Sequence, residues 1–155
     1  MPRPAPSVEA RDIDSGPVAE TDSWSVSARR VHHVEPWLIS LAYRVDTAEG
    51  SVLFAGDCAD CPELRDAAKG VDTLVVACAH LGRAKASRAL GDVCTGAAEA
   101  ADIASAAGVK RVVLSHGPPG ARLPENRKRY IDRVAGAYDG TVLFPDELAV
   151  VDLNP

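Results

Sequence analysis

The chain has 155 residues, 46 % apolar and 25 % charged, which fits one globular domain with a core of its own. A formal net charge of −5 with no long basic run does not point to a nucleic-acid partner, and no apolar run is long enough to cross a bilayer. The opening "MPRPAPSVEARD" lacks the apolar core of a secretory signal, so the expected location is the cytoplasm, where the four cysteines are free thiols, metal ligands or redox groups rather than a disulfide scaffold.

Residues 1–10 hold three prolines and are expected to be a flexible entry to a domain over 11–155. "SWSVSARRVHHV" alternates apolar and polar residues from Trp24 to Val31, a strand pattern. A second strand is expected over Trp37 to Val45, followed by a turn at Gly50. "SVLFAGD" is a short, nearly continuous apolar run, as in a strand buried on both faces. Pro62 opens a helix ending near Gly70, and "VDTLVVACAH" is another buried strand. Thr95 is the expected N-cap of the Ala-rich helix "GAAEAADIASAAG", which Gly108 stops. "VKRVVLSH" is a further buried strand. Pro124 opens a last helix closed by Gly140, and "TVLF" and "LAVVDL" form a final pair of short strands. Strands first, then helices alternating with strands, define an α/β fold.

Ionisable residues follow three of the apolar runs: Asp57 after "VLFAG", His80 after "LVVACA" and His116 after "VVLS". His33 ends "ARRVHH" in the same way. Ligands and catalytic groups of layered α/β folds gather outside strand ends. Two His and one Asp from separate strand ends make a mixed nitrogen and oxygen donor set suited to Zn, Mn or Fe. Any one of them alone is more often a hydrogen-bonded polar residue or a cap than a ligand. Cys58 and Cys61, a C-x-x-C pair at a strand-to-helix junction, offer a competing redox or cysteine–zinc reading, with Cys78, His80 or Cys94 completing the zinc site. The Arg- and Lys-rich "RLPENRKRYIDR" reads as the solvated face of an amphipathic helix.

"HVEPWLISLAYRVDTAEGSVLFAGDCADCPELRDAAKGVDTLVV" and "TGAAEAADIASAAGVKRVVLSH" together resemble the metallo-β-lactamase fold superfamily, in its ribonuclease Z-like and arylsulfatase-like branch. The resemblance covers about residues 10 to 153. It implies the C-terminal half of an αββα sandwich, a mixed sheet with flanking helices, and a metal-dependent hydrolase. In such an enzyme a metal-bound hydroxide attacks an ester, lactone or phosphodiester-type bond of a small-molecule substrate. It implies His33 as ligand of a first metal, with His32 its competitor, Asp57 as the catalytic carboxylate bridging both metals, and His116 as ligand of the second.

Two departures stand out. His-x-His-x-Asp-His, the family's most diagnostic motif, is absent, for the four histidines are 32, 33, 80 and 116. The remaining donors leave two protein ligands per ion, so Zn, Mn or Fe would be weakly held. A sheet face left open in this way implies an N-terminal half-domain or a second copy as partner, or else a non-catalytic remnant serving as an interaction module. The second departure is Cys94, at the position of a His that assists leaving-group protonation in ribonuclease Z-like members, which points away from tRNA 3′-end processing and toward a general hydrolase.

Overall fold

The computed structural model describes residues 7, 9–82 and 86–152. Seven strands form one sheet in sequence order: β1 (Gly16–Glu20), β2 (Trp24–Val31), β3 (Ser40–Thr47), β4 (Gly50–Phe54), β5 (Thr73–Ala77), β6 (Arg111–Ser115) and β7 (Thr141–Leu143). β1 to β4 pair antiparallel and β4 to β7 pair parallel. The helices are α1 (Pro62–Ala68), α2 (Arg88–Val93), α3 (Ala97–Ala107) and α4 (Pro124–Ala135). The sheet is mixed because β3 and β4 are joined by a tight hairpin, Thr47 facing Gly50, whereas each later strand returns through a helix.

Alternation along each strand separates two faces. One face presents Val31, Ala42, Leu53, Leu74, Val76, Val112 and Leu114 to α1, α3 and α4, and with Leu64, Ile103 and Val134 it makes the core. Ala97, Ala100, Ala101 and Ala104 of α3 are all fully buried. These small side chains let the helix lie close to the sheet, and Gly108 ends it in the left-handed conformation, φ 70°, its N–H bonded to Ala104 O and Ser105 O.

Among the described residues the other face carries no helix. Val26, Val45 and Val52 lie in one row across it, and Ala28, Tyr43, Phe54, Val75 and Val113 in the next. Trp24 and Phe54 on this face are 40 % and 46 % exposed. Among the described residues this face is left partly open to solvent.

Several local expectations are corrected. β3 starts at Ser40 and not at Trp37. Trp37 is 85 % exposed, and Leu38 and Ile39 project with it, since the chain after His33 turns through Trp37 N–H to Val34 O before extending. Gly96, not Thr95, is the N-cap of α3. α4 closes at Gly136, whose N–H bonds to Asp132 O and Val134 O, rather than at Gly140. Residues 148–152 form no strand, and Leu148 and Val150 are exposed. β1 and α2 were not foreseen. β1 holds only five residues between Gly16 and Glu20, too short to alternate convincingly, and α2 follows residues outside the described set. The expectation of flexibility over 1–10 also falls largely outside the described residues.

Candidate active site at the strand ends

β2 runs parallel to β4, since both pair antiparallel with β3. The C-terminal ends of β2, β4, β5 and β6 therefore open at one edge of the sheet. His32 and His33 follow β2, Asp57 follows β4, His80 follows β5 and His116 follows β6. Topology alone brings these sequence-distant residues together.

His116 Nε2 lies 3.6 Å from Asp57 Oδ2, with the two side chains 73 % and 43 % exposed. His116 adopts φ 46°, an uncommon conformation for a residue other than glycine. Such backbone strain is concentrated at functional positions. His33 Nδ1–H donates to Val93 O at 2.7 Å, which leaves Nε2 as the ring's lone-pair nitrogen. Metal-binding histidines are held in this way, one nitrogen fixed by a carbonyl and the other free to bind. His32 turns away, Nδ1 3.1 Å from Glu35 Oε2 in its own loop. Of the two adjacent histidines, His33 thus has the better orientation.

His80 is buried, 6 % exposed, and its Nε2–H donates to Cys94 O at 3.1 Å. Its Nδ1 lies 3.8 Å from Glu99 Oε2 and has no hydrogen-bond partner among the described residues. The buried His80 ring is therefore turned toward Cys94 and Glu99. Cys94 is half-buried, and burial, followed by the negative charge of Asp57, raises its thiol pKa. A neutral thiol next to a carboxylate cannot replace a cationic acid.

Of the C-x-x-C pair, Cys58 has the wrong electrostatics for an attacking thiol. Cys58 is fully buried, and burial followed by the neighbouring Cys61 pushes its thiol up to about 12. Cys78 is pushed up to about 12 by burial and Glu99. An attacking thiol needs the opposite shift. Among the described residues, no three His, Cys, Asp or Glu side chains are grouped closely enough to hold one ion. The Asp57–His116 pair and the oriented His33 are thus donors short of a complete centre, and they do not by themselves fit a firmly bound metal.

A family model described as a beta-lactamase superfamily domain matches residues 1–117, three quarters of the chain. The chain belongs to the beta-lactamase superfamily. Within it, the chain is 26 % identical over 155 residues to ribonuclease Z of Mycobacterium tuberculosis (strain H37Rv), covering 97 % of this chain and 56 % of the relative. It is 30 % identical over 156 residues to ribonuclease Z of Mycobacterium sp. (strain KMS), covering 97 % and 54 %. Among solved structures it is similar to the metallo-beta-lactamase fold protein YhfI from Bacillus subtilis, with a TM-score of 0.68 and 16 % identity, covering 83 % of this chain and 48 % of that one. It is also similar to the short form of human tRNase Z, with a TM-score of 0.65 and 18 % identity, covering 90 % and 46 %. The chain thus spans about half the length of these superfamily members, and the sheet with its flanking helices is the metallo-β-lactamase fold over that span.

Three features near these strand ends are not legible in the sequence. The Val93 carbonyl that fixes His33 sits at the end of α2, itself unforeseen. Glu99, 3.8 Å from His80, carried no signal in the sequence. Thr95 carries a cap signal, a Thr before an Ala-rich run, while its hydroxyl is spent on Cys58 O.

Proposed function

We propose that this chain is one part of a divalent-metal hydrolase of the ribonuclease Z type, to whose centre it contributes Asp57, His116 and His33. The observation that carries this reading is the 3.6 Å approach of Asp57 and His116 across the ends of β4 and β6. A carboxylate and an imidazole make a mixed donor set for Zn, Mn or Fe. The remaining donors have to come from a layer packed on the open sheet face, an N-terminal half-domain or a second copy. The relatives' names give RNA phosphodiesters as the substrate class, which bears against the expectation that nucleic acid is no partner. Other phosphodiesters and esters fall within the same chemistry. A cytoplasmic location is part of the proposal. The interaction-module reading draws on the same open face, whose Trp24 and Phe54 would be the contact residues.

The test is hydrolysis of bis(p-nitrophenyl) phosphate with added Zn2+ or Mn2+, by the chain together with whatever layer covers its open face. Asp57→Ala should lower the rate at least about 100-fold, as loss of a metal-centre residue does. Turnover undiminished in Asp57→Ala would contradict the assignment. A cleanly folded complex without turnover or metal would favour the interaction module.

A further inference from the structure

The segment Cys94–Gly96, between α2 and α3, is fastened to two of the strand-end loops. Ala79 N–H donates to Thr95 O at 3.0 Å, and Ala97 N–H donates to His80 O at 2.8 Å. His80 Nε2–H donates to Cys94 O. These bonds tie the segment to the loop after β5. The fourth bond goes elsewhere. Thr95, fully buried, donates its hydroxyl to Cys58 O at 2.7 Å, in the loop after β4.

Cys58 directly follows Asp57. The N–H of the same peptide unit as the Cys58 carbonyl, that of Ala59, donates to His32 O at 2.7 Å. Cys58 and Ala59 are buried and Asp57 is exposed. The peptide unit joining Cys58 to Ala59 is thus held at both its polar atoms, the Cys58 carbonyl by Thr95 and the Ala59 N–H by the end of β2, and the exposed Asp57 carboxylate projects from the residue just before it. Glycine is required next to Thr95, because a Cβ at Gly96 would come within 2.1 Å of His80 Nδ1 and 2.6 Å of His80 O. Hydrogen bonds to buried carbonyls, made by a β-branched side chain with restricted χ1, hold the adjoining backbone in place.

We infer that Thr95 is a positioning residue: its buried hydroxyl, through the Cys58 carbonyl, sets where the Asp57 carboxylate stands relative to His116. The role given to Asp57 rests on the function proposed above. The placement of its side chain by Thr95 does not, and it can be measured without metal or substrate.

NMR on the metal-free chain tests this. Thr95→Val keeps the shape and removes the donor, while Thr95→Ser keeps the donor. The result expected is that Thr95→Val moves the Asp57 carboxyl carbon and His116 ring resonances, with the amide signals of β5 and β6 in place, whereas Thr95→Ser restores the wild-type positions. Asp57 and His116 resonances unmoved in Thr95→Val, or moved equally in both variants, overturn the inference. If Thr95→Val does not fold, the wild-type chain decides the matter. A slowly exchanging Thr95 hydroxyl proton close to the Cys58 carbonyl supports the inference, and a freely exchanging one overturns it. Neither result touches the metal proposal, which fails on Asp57→Ala instead.

Discussion

Asp72 joins the N-terminal ends of three parallel strands through one carboxylate. Lys110 Nζ lies 2.7 Å from Oδ1, while Ser51 donates to Oδ2 from its N–H at 2.8 Å and its hydroxyl at 2.9 Å. Lys110 first, then the two Ser51 donors, hold the carboxyl well below the usual range, at about 2. A folded-state pKa below the unfolded value stabilises the fold above the unfolded pKa, and this is lost as pH falls toward the folded pKa. Stability from Asp72 should therefore be full above about pH 4 and disappear toward about pH 2. With the side chain about a third exposed, solvent screening reduces the contribution to about 1 kcal/mol. Urea unfolding of Asp72→Asn should show that deficit at pH 6 and a smaller one at pH 2.5. Gly96→Ala is a harsher change at the same scale. The buried His80 ring and its carbonyl stand where the methyl would go, so a loss of about 2–4 kcal/mol is expected from thermal unfolding.

At the scale of elements, α3 shows what a sequence pattern reveals and what it conceals. Its length, its Ala-rich face and its stop at Gly108 were all legible, because glycine's left-handed freedom and helical periodicity act locally. Its first residue was not, since Thr95 and Gly96 both suit an N-cap and the choice depends on Cys58, 37 positions earlier in the chain. The parallel strands β4, β5 and β6 were legible as apolar runs for the same local reason. β1 was not, for it gains its order from pairing with β2. At the site, Asp57 and His116 could be read as strand-end residues, whereas the choice between His32 and His33 turned on the Val93 and Glu35 contacts of the folded chain. The close approach of α3 makes a specific prediction. Ala100→Leu adds three carbons to a fully buried position facing the sheet and should destabilise by about 1–3 kcal/mol by overpacking, measured by urea unfolding.

For the whole molecule, the uneven treatment of the two sheet faces is the main fact. One is sealed by α1, α3 and α4. The other leaves Trp24 and Phe54 in water, with Trp37, Leu38 and Ile39 projecting from the β2–β3 loop. Apolar patches of this kind mark contact surfaces. Sedimentation velocity should show association that grows with concentration, weakened by Phe54→Lys, and a compact monomer at all concentrations would argue against an exposed docking face. In the proposed centre, the same asymmetry accounts for the donors that this chain does not supply. The most direct test of this account is equilibrium dialysis of the purified chain against Zn2+. The account predicts weak binding, with less than one ion per chain retained after gel filtration, and its loss in Asp57→Ala and His116→Ala. Two ions held firmly per chain, or binding indifferent to Asp57→Ala, would contradict it.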